Sequence, residues 1–71
     1  MQRKTHIIPR APVEKLIIKA GAERVGDDAV EELCDFLTKK GTEIAKKALE
    51  ISKHSGRKTV MADDIKLANE L

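Results

Sequence analysis

Val13, Leu16, Ile17 and Ala20 fall at positions i, i+3, i+4 and i+7, the spacing of one face of an α-helix. Pro12 suits the first position of that helix, and Gly21 is placed to terminate it in the left-handed conformation. Residues 22–26 read as a loop. Asp27 or Asp28 can cap the second helix, and Asp28 with Glu31 has capping-box spacing. From Ala29 onward, Val30, Leu33, Leu37, Gly41, Ile44, Ala48, Ile51 and Ser55 recur at alternating steps of three and four until Gly56. This predicts one helix of roughly 28 residues, about 42 Å at 1.5 Å per residue. Arg57 to Val60 reads as a short extended link, and Ile65, Ala68 and Leu71 predict a short third helix. Asp63 and Asp64 fall in its first turn, where the helix dipole favours anions. Ahead of all three, residues 1–9 form a polar, basic arm without helical period, leaving 10–71 as the folded domain. The fold class is therefore all-α: short helix, long helix, short helix.

Two short helices shield only about half of a 42 Å helix, so part of its apolar stripe needs a second chain. Gly41 sits near the middle of that helix, where glycine costs about 1 kcal/mol relative to alanine. Close backbone approach explains such a glycine, and two long helices crossing near Gly41 would supply it. The alternative is a helix break at Gly41 giving a four-helix monomer, although no proline or polar cluster accompanies the glycine. Leu33, Leu37, Gly41 and Ile44 are thus the expected centre of a dimer core. Length points the same way. Seventy-one residues make one small module, and domains of this size are commonly stabilised by disulfides, a metal or oligomerisation. The lone Cys34 excludes an internal disulfide and reads as a small buried hydrophobe. His6 and His54 have no ligand spacing around them, so neither a metal nor another cofactor is expected.

The net charge is only +2, but it is distributed in blocks. Residues 1–26 carry six bases against two acids, and 27–45 carry two bases against six acids. Residues 46–58 return to five bases against one acid, and 59–71 hold one base against three acids. If folding gathers the basic blocks, one surface suits a polyanion and another favours solubility. Charges that merely solvate helix faces remain the alternative at this point. No run approaches the ~18 apolar residues of a membrane span and no apolar segment follows the basic N-terminus, so a soluble, cytoplasmic protein with no membrane partner is expected. No Ser-His-Asp arrangement, paired carboxylate or glycine-rich phosphate loop emerges, and an enzyme is not expected.

The stretch Pro12-Val-Glu-Lys-Leu-Ile-Ile-Lys-Ala-Gly-Ala-Glu-Arg-Val25, then Asp27-Asp-Ala29, then His54-Ser-Gly-Arg-Lys-Thr-Val60 with Ala62-Asp-Asp-Ile65, resembles the archaeal histones. The resemblance covers about residues 9–71. It implies the histone fold, paired head to tail as an obligate dimer with two loop-loop pairs and a central pair of first helices. It further implies double-stranded DNA as partner, wrapped and compacted without sequence specificity by dimers and higher oligomers, and location on the chromosome. Residue by residue, Arg24 matches the first-loop arginine that enters the minor groove, as arginines of histone octamers do. Lys58 and Thr59 match second-loop residues that contact phosphate, reading no base. Lys15 matches the basic position facing DNA at the dimer centre, and Lys19 is placed with it although the family often has an acid there. Arg57 matches a residue that pairs with Asp64 to fix the second loop first and meets DNA second. Ile51, His54 and Asp64 match positions at the contact between dimers.

Three departures stand out. Arg3, Lys4 and Arg10 make a longer basic arm than is common, offering an added DNA contact; Gly26 replaces the usual serine before the long helix; and Met61 takes a position often polar. Two other functions fit the same residues. One is a histone-fold subunit of a transcription or chromatin complex, which would form a heterodimer with a paralogous histone in place of a homodimer. The other is a helical protein-interaction module that uses its acidic long-helix surface without DNA.

Overall fold

The computed structural model describes residues 7–71, which form three α-helices: α1 (Arg10–Lys19), α2 (Asp27–His54) and α3 (Ala62–Glu70). Arg3 and Lys4 of the expected basic arm lie outside the described residues. α2 has 28 residues, so it spans about 42 Å. The chain divides within α2, after Lys39, into two compact units.

In the first unit, α1 packs on the N-terminal part of α2 around Val13, Val30 and Cys34, each at most 3% exposed. Ile8, Ile17, Val25, Leu33 and Leu37 pack partly buried around them. α1 starts at Arg10, two residues earlier than expected, with Pro9 in extended conformation at the N-cap. Pro12 is consequently the third helical residue. Proline fits there because the first turn's N–H groups have no partner within the helix. Arg10 accordingly belongs to α1 and not to an arm free to reach DNA: its guanidinium meets Glu31 at 2.8 Å and Asp27 at 3.5 Å. α1 ends in a Schellman motif, with the Gly21 N–H on the Ile18 carbonyl and the Ala22 N–H on that of Ile17. Gly21 supplies the positive φ, +122°, that the motif needs.

The start of α2 differs from the expected capping box. The Gly26 carbonyl accepts the Ala29 and Val30 N–H groups, so glycine takes the N-cap position and Asp27 and Asp28 fall in the first turn. A Cβ on Gly26 would lie 2.7 Å from Asp28 Oδ1. The aspartate already fills the space a capping serine side chain would use.

In the second unit, the C-terminal part of α2 and α3 bury Ala48, Ser52, Asp64 and Ala68. α2 ends like α1: the Gly56 N–H reaches the Lys53 carbonyl and the Arg57 N–H that of Ser52, with Gly56 at φ +74°. Ser55, which the spacing puts on the apolar stripe, is exposed, and Ser52 is the buried serine. Of the expected apolar face of α3, only Ala68 is covered among the described residues. Ile65 is 41% exposed and Leu71, just past the helix, 75%.

Candidate nucleic-acid interface

The first loop hangs between two well-anchored helix ends. The Schellman motif fixes one side, and Val25 packed on the unit's core fixes the other. Between them Arg24 is exposed. Lys15 and Lys19 are exposed on α1 in the same unit. None of these three cations makes an ion pair among the described residues, whereas Arg10 is held by two acids. The unit therefore separates one arginine committed to structure from a set of cations open to an external anion.

The second loop, residues 55–61, is built around a buried carboxylate. Arg57 Nη1 and Nη2 donate to Asp64 Oδ2 and Oδ1 at 2.9 and 2.8 Å, a bidentate fork, while the Met61 N–H donates to Oδ2 at 2.8 Å. The Asp64 N–H bonds the Met61 carbonyl, so aspartate supplies the side-chain half of a cap that methionine cannot supply in return. Asp64 is 3% exposed. Its carboxyl is held down to about 2, chiefly by the Arg57 hydrogen bond and then by the Met61 N–H, against the opposing effect of burial. The same hydrogen bond raises Arg57 further above its ordinary value. Arg57 is thus engaged on its fork side, while Lys58 and Thr59 are exposed, and Lys58 has no ion pair among the described residues.

The remaining positions divide by burial. Leu33 and Leu37 lie half-buried at the margin of the first core and Ile44 is half-buried in the second unit. Gly41 is exposed, and a Cβ on it would touch nothing within 4 Å. Ile51 is half-buried and His54, the last residue of α2, is exposed. Two structural residues escape a reading by period and motif. Ser52 is fully buried, and its hydroxyl donates to backbone carbonyls of the second loop. The Arg10 link to α2 is the other, and its acids on α2 were the available signal. Among the described residues no helix is long and apolar enough to cross a membrane, and no cluster of metal-ligating side chains occurs.

Three helices of these lengths, the first two ended by glycine, and a buried aspartate forked by an arginine define a histone-fold chain. Residues 6–68 match the family model described as histone-like transcription factor (CBF/NF-Y) and archaeal histone. The chain is 51% identical over 61 residues, 86% of its length and 91% of the relative's, to a subunit of the archaeal histone HAN1 of Thermococcus zilligii. It is 39% identical over 61 residues, with the same coverage, to the probable archaeal histone 3 of Methanocaldococcus jannaschii. The protein belongs to the family of histone-like transcription factors and archaeal histones, as a DNA-binding histone-fold protein.

Proposed function

We propose that two copies of this chain pair head to tail and wrap double-stranded DNA without reading its bases. The observation that carries this reading is the sorting of the cations. Arg10 and Arg57 are paired within the chain, while Lys15, Lys19, Arg24 and Lys58, like the other lysines of residues 7–71, are exposed without an acid among the described residues. These four are set apart by their place on α1 and the two loops. In a head-to-tail dimer the first loop of one chain lies beside the second loop of the other. Arg24 then enters the minor groove next to Lys58 and Thr59 on phosphate, Lys15 and Lys19 line the dimer centre, and the free edge of the Arg57 guanidinium adds a secondary contact. Dimerisation is supported by the apolar surface that the single chain leaves uncovered: Leu16 is 54% exposed, Phe36 59% and Met61 53%. Leu33, Leu37, Gly41 and Ile44 would meet their counterparts across the dimer. Ile51, His54 and Asp64 would join dimers into longer assemblies that compact the chromosome.

The test is a titration of the pure protein against random-sequence duplex at several salt concentrations, with the mass of the complex measured alongside. Binding that falls linearly in log affinity against log salt, with a slope of about −0.9 per phosphate neutralised, and that ignores base sequence except where DNA bends cheaply, is the expected result. A site preference that survives high salt overturns it.

A second reading is favoured by one observation. The Thermococcus zilligii relative carries the name of a subunit, which fits a chain that pairs with a non-identical histone-fold partner. A pure protein that stays unfolded or monomeric until such a partner is added would select that reading.

A further inference from the structure

Ser52 lies in the last turn of α2, fully buried, and the DNA-contact reading leaves it without a role. Its carbonyl accepts the Arg57 N–H at 3.0 Å as part of the helix-ending motif. Its hydroxyl carries a single proton, and two loop carbonyls converge on it: Thr59 at 2.9 Å and Arg57 at 3.2 Å. Arg57 Nη1 donates to the same Thr59 oxygen at 3.1 Å. In a planar trans peptide the C=O of one residue and the N–H of the next point in opposite directions. Drawing the Arg57 and Thr59 carbonyls inward onto Ser52 therefore turns the Lys58 and Val60 N–H groups outward. Neither N–H has an acceptor among the described residues. The exposed Lys58 ammonium and Thr59 hydroxyl stand on the same loop. Two outward-facing N–H donors two residues apart, a hydroxyl and an ammonium on one short loop form a donor set suited to phosphate oxygens of a DNA backbone.

We propose that Ser52 is a positioning residue for DNA binding: its buried hydroxyl fixes the carbonyl directions that aim the Lys58 and Val60 N–H groups at a backbone phosphate. Ser52 itself touches no DNA, and the proposal rests on the DNA-binding reading above. Alanine at this site keeps the Schellman motif and the Arg57-Asp64 fork. It leaves the Arg57 carbonyl without a donor and the Thr59 carbonyl with Arg57 alone, so the two peptides are free to rotate.

The full-length protein, Ser52→Ala and Lys58→Ala are titrated with random-sequence duplex over a range of salt, at a temperature where circular dichroism shows each fully folded. Ser52→Ala is expected to bind about tenfold more weakly at every salt, the scale of one hydrogen bond to a charged group lost in total. Its log-log salt slope should not change, because an N–H contact releases no counterion, whereas each Lys58 removed lowers the slope by about 0.9. In parallel, the Lys58 and Val60 amide resonances should move on adding duplex to the unsubstituted protein and stay in place for Ser52→Ala. A folded Ser52→Ala with full affinity and a Val60 amide that still shifts overturns the proposal while leaving DNA binding standing. A slope reduced as far as in Lys58→Ala also overturns it, since Ser52 would then be placing the ammonium. Absence of binding by the unsubstituted protein overturns the DNA-binding reading and this proposal with it. If Ser52→Ala does not fold, Ser52→Cys, close in size with a far weaker donor, is read by the same criteria.

Discussion

At the residue scale the three arginines among residues 7–71 have different partners, and each partner set predicts a different mutant. Arg24 is exposed in a loop and has no ion pair among the described residues, so Arg24→Ala should weaken binding to every duplex alike and leave the thermal midpoint where it was. Unchanged affinity in a filter or anisotropy titration would show that this loop does not face DNA. Arg10→Ala should behave in the opposite sense. It removes a half-exposed pair with Glu31 worth about 0–1 kcal/mol, and the folded variant should bind DNA as before. Arg57 is tied to Asp64, and that pair gives stability an acid limit. The Asp64 carboxyl lies near 3.8 in an unfolded chain and is held at about 2 in the folded one. A depressed carboxyl contributes fully above the unfolded value, and the contribution is lost as pH falls through the window from about 4 to 2. Asp64→Asn, isosteric but uncharged, should be less stable at neutral pH and should lose less on acidification than the parent. Melts at pH 7, 4 and 2.5 check this, and parallel losses in the two proteins would show that the fork contributes no pH dependence.

At the element scale, much of the architecture is legible from residue spacing, and the exceptions have identifiable causes. The ends of α1 and α2 follow from Gly21 and Gly56, because only the left-handed residue of a Schellman motif demands glycine in that place. The length of α2 follows from an apolar period unbroken between Gly26 and Gly56. The start of α1 does not follow, since Pro9 and Pro12 are both compatible with a helical first turn and the sequence offers no criterion between them. The buried serine is hidden from the period for a similar reason: the spacing puts Ser55 on the stripe and Ser52 beside it, and which one is covered depends on the second loop folding back over the helix. Gly41 provides a prediction at this scale. Beyond its own helix backbone, nothing among the described residues lies within 4 Å of a Cβ placed on it, so in an isolated helix Gly41→Ala would stabilise by about 1 kcal/mol. If a second α2 crosses there, the added methyl meets that helix, and the variant should instead melt lower and dissociate more readily. A variant that melts higher at every protein concentration would move the crossing away from Gly41.

At the scale of the whole molecule, the covered apolar residues among those described are few and mostly small: Val13, Val30, Cys34, Ala48 and Ala68. If a second chain covers what so thin a core leaves open, as proposed, folding and association are a single event and the thermal midpoint should rise with protein concentration. A folded, monodisperse monomer at micromolar concentration would contradict this. The proposed assembly beyond the dimer would depend on the contacts that the end of α2 and the start of α3 can still offer. Asp64 Oδ2 already accepts from Arg57 and from the Met61 N–H, whereas Oδ1 accepts from Arg57 alone and keeps a lone pair. His54 is exposed at the end of α2, one turn beyond the half-buried Ile51. An exposed helix-end histidine that only interacts with the helix dipole would leave assembly unaffected when replaced. A histidine of one dimer donating to the remaining lone pair of Asp64 in the next would not. His54→Ala should then shorten the DNA protected from nuclease to the length that separate dimers cover, with single-dimer affinity retained. Asp64→Ala is the less discriminating variant, because it also releases Arg57 and the Met61 N–H and so loosens the second loop. If His54→Ala preserves the long protected fragments, the dimers are joined by other contacts, with Ile51 the next position to replace.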